Sequence, residues 1–463
     1  MKKLLFCLLW LPLAAAAQPA PPARPNIIYI LMDDLGLEET GTYGSPVIQT
    51  PHLDQLAREG LKFTRHYAGT SVCAPSRCAL MTGLHTGHCQ VRGNKQMEPH
   101  GQLPLADEAL TVAELLKQAG YQTRLAGKWG LGGEGTSGEP TRQGFDNYFG
   151  YLDQVLAHNN YPAYLLRNGQ KVMLKNQVVW EPPGTWSNGL GSYTPEANKV
   201  EYSNDLFTQD ALQFIDQQGV GAPPFFLYLA YTLPHNNGEA PKDIRFQAPE
   251  LGPYQAQNWP EVDKNYAATL ARMDQYVGQL MAKLRAKGLA ENTVIFFSSD
   301  NGSTEDIPTR FAAHNRLRGF KRSPYEGGIR VPLLVWWPGQ VRPGRQTDWP
   351  TAQWDFLATA CQLAGQRPPQ GTDGVSAVPV LLGKKPAARR SLYWECHEQG
   401  GWQALQQGRY KLIHFVRANR DELYDLQTDE GEKTNLAERL PKVVARLKAQ
   451  MQQARTPSAV FDF

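Results

Sequence analysis

The chain has 463 residues, 41% of them hydrophobic and 20% charged, with a formal charge of +3. Such a composition excludes a disordered or fibrous protein and suffices to bury one large core and a smaller one. So small a net charge gathers neither nucleic acid nor an anionic membrane, so any preference for anions has to be local.

Taken in order, Lys2 and Lys3 precede an apolar run at residues 4–13 and then Ala14, Ala15, Ala16 and Ala17, the layout of a secretory leader. Residues 1–18 are therefore expected to be removed on export, and the mature protein to be periplasmic or secreted in a bacterium. The run is too short to span a bilayer and no other long apolar stretch follows, so no stable membrane insertion is expected. Loss of Cys7 leaves Cys73, Cys78, Cys89, Cys361 and Cys396, an odd set that keeps at least one thiol outside intramolecular disulfides.

Near-continuous apolar runs at residues 26–32, 225–231, 294–297 and 333–337 alternate with helical patterns, as buried parallel strands do. The clearest helix covers residues 263–287, where Tyr266, Leu270, Met273, Val277, Leu280 and Leu284 recur at spacings of four and three before Gly288. Shorter amphipathic stretches fall at 110–118 and 204–218. Together they predict an α/β fold with a large doubly wound, mostly parallel sheet domain over residues 24–384. Between residues 160 and 199 the pattern gives way to Gly, Pro, Trp, Asn and Tyr, a long loop of the kind that carries function. After Gly371, short runs at 391–395, 402–405 and 410–415, with Gly408-Arg409 as a turn, predict an antiparallel sheet. Val444, Leu447 and Met451 then share one face of a terminal helix. The boundary to this smaller α+β subdomain, residues 385–463, is placed near residue 385.

In an open α/β sheet, ligands collect beyond the carboxyl ends of the strands. The run at 26–32 ends in Asp33 and Asp34, and the run at 294–297 passes through Ser298 and Ser299 into Asp300 and Asn301. Three carboxylates and an amide oxygen gathered there would repel unless they held a hard cation such as Ca2+ or Mg2+; the His and Cys ligands of zinc are absent from these ends. Asp34 or Asp300 alone is equally a helix N-cap. The run at 225–231 leads to His235 and the segment 121–126 to Lys128, a proton donor and a cation for the same edge. Cys73 opens a short helix with Pro75 in its first turn, where free N–H groups and the dipole favour anions. Arg77, one turn on, adds a planar fork of donors. A Cys73–Cys78 disulfide or a buried thiol is the alternative.

The segment Cys73-Ala74-Pro75-Ser76-Arg77, followed by Leu80-Met81-Thr82-Gly83, resembles the signature of the type I sulfatases of the alkaline phosphatase superfamily. The likeness continues through Gly127-Lys128-Trp129, Pro234-His235, Asp300-Asn301-Gly302, Tyr325-Glu326-Gly327-Gly328 and Glu422-Leu423-Tyr424-Asp425-Leu426. The resemblance implies an alkaline phosphatase-like fold and a sulfuric ester hydrolase. It implies that a formylglycine-generating or sulfatase-maturing enzyme converts Cys73 to formylglycine, whose hydrate is the nucleophile. It further implies that Asp33, Asp34, Asp300 and Asn301 bind Ca2+ together with residue 73. Arg77, Lys128 and Lys321 would offset charge on the sulfate, and His235 would protonate the departing oxygen. These roles suit a sulfuryl group, whose spread negative charge is stabilised by fixed cations and a Lewis acid. One departure stands out: many relatives read Lys-Trp-His where this chain has Lys128-Trp129-Gly130. His158 is expected to fill that space or to contact substrate.

Arg310, His314, Arg316, Arg318, Lys321 and Arg322 form a basic run, equally a solvated face, that is expected to grip a second anionic group through Arg318. With the Trp- and Tyr-rich insertion it favours a sulfated carbohydrate over a small aryl sulfate. A broad arylsulfatase, a phosphomonoester or phosphonate hydrolase of the same superfamily, and a non-catalytic glycan-binding protein remain open at this point.

Overall fold

The computed structural model describes residues 24–97, 101–182, 185, 187, 189–312, 314–385 and 391–463; the expected leader at residues 1–18 lies outside them. The strand Asn26–Asp33 is buried at every position, which explains why its sequence has no polar phase. Ile27, Tyr29 and Leu31 enter a core with Ala74, Leu80, Val112 and Phe356. Ile28, Ile30 and Met32 enter another with Leu53, Phe207, Tyr266 and Met273. Successive side chains of a strand point to opposite faces, so both faces need cover. Helices Cys73–Thr82, Val112–Gln118 and Asp355–Leu363 supply it on one side. Helices Pro51–Glu59, Ser203–Asp216 and Glu261–Ala286 supply it on the other. Each large apolar side chain buried this way stabilises by roughly 1.5–3 kcal/mol.

Among the described residues the large sheet has 11 strands. At its centre Thr293–Ser299, Asn26–Asp33, Phe225–Pro234, Gln122–Lys128 and Asn147–Tyr151 lie side by side and parallel. Their carboxyl ends therefore share one edge. Met32 stands opposite Ser299 and Asp33 opposite Pro234, which brings Asp33, Asp300 and His235 to the same level. Outside this centre the sheet is mixed. Arg330–Trp336 runs antiparallel to both Thr293–Ser299 and Leu61–Tyr67, correcting the expectation of a parallel strand at 333–337. A continuous apolar run reports burial on both faces and carries no information about direction.

Caps set the helix ends. Thr111 accepts from the Glu114 N–H while Glu114 accepts from the Thr111 N–H, a reciprocal cap that starts the predicted 110–118 helix at Val112. Glu261 and Asp263 in the first turn and Lys283 and Arg285 in the last turn of Glu261–Ala286 complement the helix dipole.

The small sheet pairs Leu392–Cys396, Trp402–Gln407, Tyr410–Phe415 and Arg420–Asp425 in antiparallel order. The fourth strand adds to the three expected; Arg420, Asp421 and Glu422 give it a charged texture that β propensity does not favour. One face takes the helix Pro441–Gln453, with Leu447 and Met451 against Leu405, Leu412 and Leu423. The other sets Trp394, Trp402 and Ile413 against Tyr67, Val72 and Trp354. The boundary expected near residue 385 abuts residues 386–390, which lie outside those described. Cys73, Cys78, Cys89, Cys361 and Cys396 are buried and unbridged, so the alternative of a Cys73–Cys78 disulfide is not what this structure contains. No helix among the described residues is long and apolar enough to cross a membrane.

Candidate active site

Cys73 is the first residue of its helix and is 2% exposed. Its Sγ lies 3.6 Å from Asp33 Oδ1. Burial pushes the thiol up to about 12, against the pull of Lys128 and Lys321, so the unmodified side chain stays protonated at neutral pH. An extended strand would point Asp33 and Asp34 to opposite faces. Asp34 instead takes φ 64, a left-handed turn that aspartate tolerates better than most residues. Both carboxylates then fall, with Cys73 and His235, into a set whose donor atoms lie within 4.8 Å of one another.

Three cations neutralise this edge. Lys128 Nζ donates to Asp33 at 2.7 Å and Lys321 Nζ to Asp34 at 2.8 Å. Arg77 places Nε and Nη2 on Asp300 Oδ2 at 3.1 Å and 2.8 Å, and Nη1 on the Lys128 carbonyl at 2.8 Å. Burial would raise the Asp33 carboxyl, but Lys128, His235, Arg77 and Lys321 together hold it well below the usual range. Burial and then the Asp33 charge push Asp300 up to about 6.

Asn301 Nδ2 donates to Asp34 at 2.7 Å, while its Oδ1 is buried without a hydrogen-bond partner. Leaving a buried acceptor unpaired costs about 1–3 kcal/mol, and a cation at that oxygen would remove the cost. Asp33, Asp34, Asp300 and Asn301 offer the all-oxygen donor set that a hard divalent ion requires, so the residues present fit such an ion.

His235 Nδ1 lies 2.6 Å from the Asn236 carbonyl oxygen, which fixes a proton on that nitrogen. Nε2 then accepts from Lys321 Nζ at 3.0 Å. Burial, followed by the Lys321 charge, lowers His235 to about 3, so the ring is neutral. His158 stacks on it at 4.6 Å and 14° and sets its own Nδ1 3.1 Å from the Glu239 carboxylate.

The structure thus gathers Asp33, Asp34, Cys73, Arg77, Lys128, His235, Asp300, Asn301 and Lys321 at one place. It turns Arg318 elsewhere. That guanidinium covers the Tyr325 ring at 3.7 Å and donates to Tyr424 Oη and the Glu432 carbonyl, each at 2.9 Å, tying down the small sheet rather than meeting substrate. Two more of the basic run leave the site, Arg310 for Asp263 and Arg316 for Glu38, while Lys321 and Arg322 stay at it. Position 130 brings a second correction. Gly130 has φ +79, and a Cβ there would meet Gln154 Cγ and Nε2 at 3.1 Å. Gln154, not His158, fills that space, and it reaches Asn94 Oδ1 at 3.3 Å.

A cavity of about 400 Å³ is lined by Asp34, Cys73, His235 and Lys321, by the amides of Asn94, Gln96, Gln102, Gln154 and Asn236, and by Asp306, Arg322 and Glu398. Among the described residues, no aromatic ring of the 160–199 insertion lines it. Sequence reasoning missed the amide wall and Glu398, which the loop after Leu392–Cys396 brings in from the small sheet; no spacing rule links such distant segments.

A second set, His85, His88 and Asp373, also holds its donor atoms within 4.8 Å of one another. Here hydrogen bonds use the donors. The Gly87 N–H points at His85 Nδ1 at 3.2 Å, which leaves the ring proton on Nε2, 3.5 Å from Asp373. His88 Nδ1 lies 3.0 Å from both Asp373 oxygens, and the His85 N–H donates to Asp373 at 2.9 Å.

The sulfatase family model matches residues 25–366. The chain belongs to the sulfatase family. As a member of the alkaline phosphatase superfamily it is a sulfuric ester hydrolase, and a second model, N-sulphoglucosamine sulphohydrolase C-terminal, matches residues 319–457 of this sulfatase. Arylsulfatase A of Homo sapiens is 34% identical over 497 residues, 97% of this chain and 91% of its own length. N-acetylgalactosamine-6-sulfatase of Canis lupus familiaris is 32% identical over 422 residues, 87% of this chain and 73% of its own. The solved structure of Ps i-CgsB in complex with k-i-k-neocarrahexaose matches with a TM-score of 0.76 and 27% identity, covering 93% of this chain and 92% of that one. Phosphonate monoester hydrolase of Agrobacterium radiobacter shares the fold at a TM-score of 0.65 and 22% identity, covering 93% and 95%.

Proposed function

We propose that this sulfatase removes sulfate from a sulfated carbohydrate, with Cys73 converted to formylglycine and one Ca2+ held by Asp33, Asp34, Asp300 and Asn301. The observation that carries this reading is the convergence of Arg77, Lys128 and Lys321 on the helix-opening Cys73, each already fixed by a buried carboxylate. Cations held in place before substrate arrives stabilise developing charge without reorganising.

Formylglycine, once hydrated, supplies two hydroxyls on one carbon, one to attack sulfur and one whose deprotonation releases sulfate by C–O cleavage. A bound Ca2+ supplies a Lewis acid for a sulfate oxygen. His235 is the acid: the Asn236 carbonyl keeps its Nδ1 proton in place, so Nε2 delivers the proton to the leaving alcohol once the bound sulfate has drawn one onto the ring, while the Lys321 ammonium, held on Asp34, offsets charge on the sulfate. Arg77, clamped between Asp300 and the Lys128 carbonyl, presents its charge in one orientation.

Burial of Cys73 in the folded chain supports a maturing enzyme that acts before folding, and in this reading residues 1–18 serve export. The amide-lined cavity supports a carbohydrate, because amides both donate to and accept from sugar hydroxyls. The sugar in the name of N-acetylgalactosamine-6-sulfatase and the k-i-k-neocarrahexaose in complex with Ps i-CgsB agree with that choice. Co-expression with a maturing enzyme should yield a residue-73 peptide in which sulfur and two hydrogens are exchanged for one oxygen. It should also yield sulfate release from sulfated galactose, N-acetylgalactosamine, N-acetylglucosamine or fucose, faster than phosphate from matched esters. Cleavage of aryl esters alone would overturn the substrate class, and faster phosphate release would overturn the reaction.

A further inference from the structure

The cations nearest Cys73 belong to the proposed chemistry, which leaves the outer cavity to decide which sulfated sugar enters. Among the described residues lining it, the permanently charged side chains beyond Asp34 and Lys321 are Arg322, Asp306 and Glu398. Arg322 Nε donates to Glu398 at 2.9 Å, and the other Glu398 oxygen accepts the Asn94 N–H at 3.3 Å. Asp306 accepts from Asn236 Nδ2 at 3.0 Å and Arg245 Nη1 at 3.1 Å, yet its side chain stays 54% exposed. Any charge on His158 is met by Glu239 at 3.1 Å.

We infer that Asp306 and Glu398 make this pocket select a sugar whose sole anionic group is the sulfate being removed. The inference rests on the carbohydrate reading above and narrows it. A second sulfate or a carboxylate beside the scissile ester would meet Asp306 and Glu398, whose guanidinium partners Arg245 and Arg322 are already taken up by them, and like charge at close range, with the nearby guanidiniums spent, acts as a barrier to the wrong ligand. This reverses the expectation that a basic run grips a second anion, because Arg310, Arg316 and Arg318 are spent on Asp263, Glu38 and Tyr424 and Arg322 on Glu398.

The test compares N-acetylgalactosamine 6-sulfate with the same sugar bearing a second sulfate, on the matured holoenzyme. The monosulfated sugar should have a kcat/KM at least about tenfold higher, the gap lying in KM and shrinking as salt screens the repulsion. Asp306→Asn and Glu398→Gln should each narrow the ratio, and the double variant should bring it within about threefold. Equal rates in the wild type, or a ratio that neither variant moves, would overturn the inference. Should neither sugar be desulfated, the carbohydrate reading falls instead. The dissociation constants of the two sugars on the same protein, measured by calorimetry, then decide the inference: tighter binding of the monosulfated sugar supports it and equal binding removes it.

Discussion

The Cys73 cluster and the His85–His88–Asp373 cluster each gather metal-ligand atoms within 4.8 Å, yet one holds open chemistry and the other a closed clasp. Around Cys73, three carboxylates face three cations, Asn301 Oδ1 is left without a partner, and a cavity of about 400 Å³ reaches the thiol. At Asp373 the two rings and a backbone N–H converge on one carboxylate and satisfy it. Donor type and spacing are therefore a poor criterion for a site. Unspent hydrogen-bonding capacity separates the two, because a buried unsatisfied group calls for something to complete it.

The largest test of that contrast is loss of the proposed nucleophile. Cys73→Ala should lower kcat for sulfate release by roughly 10⁴-fold or more, whereas Asp373→Asn should leave it within about twofold. Turnover retained in Cys73→Ala would remove the chemical distinction between the clusters. Next comes Arg77→Lys. An ammonium cannot hold Asp300 and the Lys128 carbonyl with one planar fork, so kcat should fall about 10²–10³-fold. Unfolding free energy should fall by about 1–3 kcal/mol for the partners left unpaired. Activity within tenfold of the wild type would mean that any positive charge suffices there.

Gly130 gives a smaller effect. Placing there the histidine that the family resemblance implies puts a Cβ at φ +79, which costs about 1–2 kcal/mol, and drives that Cβ toward Gln154 at 3.1 Å. Gly130→His should lose that much stability in urea unfolding and gain no turnover. A gain in kcat would show that Gln154 yields and that the space is still fitted for an imidazole.

What the sequence disclosed follows from where each signal is stored. In a parallel sheet the apolar run and the residue that ends it are neighbours in the chain, so Asp33, Asp300, His235 and Lys128 could be read with the strands that deliver them. The helix motif from Cys73 to Arg77 is equally local. Arg318 was misread because a run of charge does not say which way each side chain turns: Lys321 reaches Asp34, whereas Arg318 turns back onto Tyr325. Asp306, Glu398 and Gln154 were silent, since each reaches the cavity from a different segment and none sits in a pattern. The direction of Arg330–Trp336 was lost for the same reason, because pairing partners are a property of the assembled sheet.

The clasp supplies the finest test, through pH. Burial alone would raise the Asp373 carboxyl, but hydrogen bonding from His88, the histidine charges and the His85 N–H hold it below its ordinary value of 3.8. A carboxylate whose folded value is depressed contributes stability that is complete above the unfolded value and is lost as the pH falls through the folded one. Asp373→Asn keeps the shape and removes the charge, so it should be less stable than the wild type at pH 7 by about 1 kcal/mol. The gap should hold down to about pH 4 and close below it, in urea unfolding followed at several pH values. A gap that stays undiminished well below pH 4 would mean that Asp373 is not held by its histidines. A Zn2+-dependent rise in the wild-type midpoint, absent from Asp373→Asn, would turn the clasp into a second metal centre and dissolve the contrast with the Cys73 cluster.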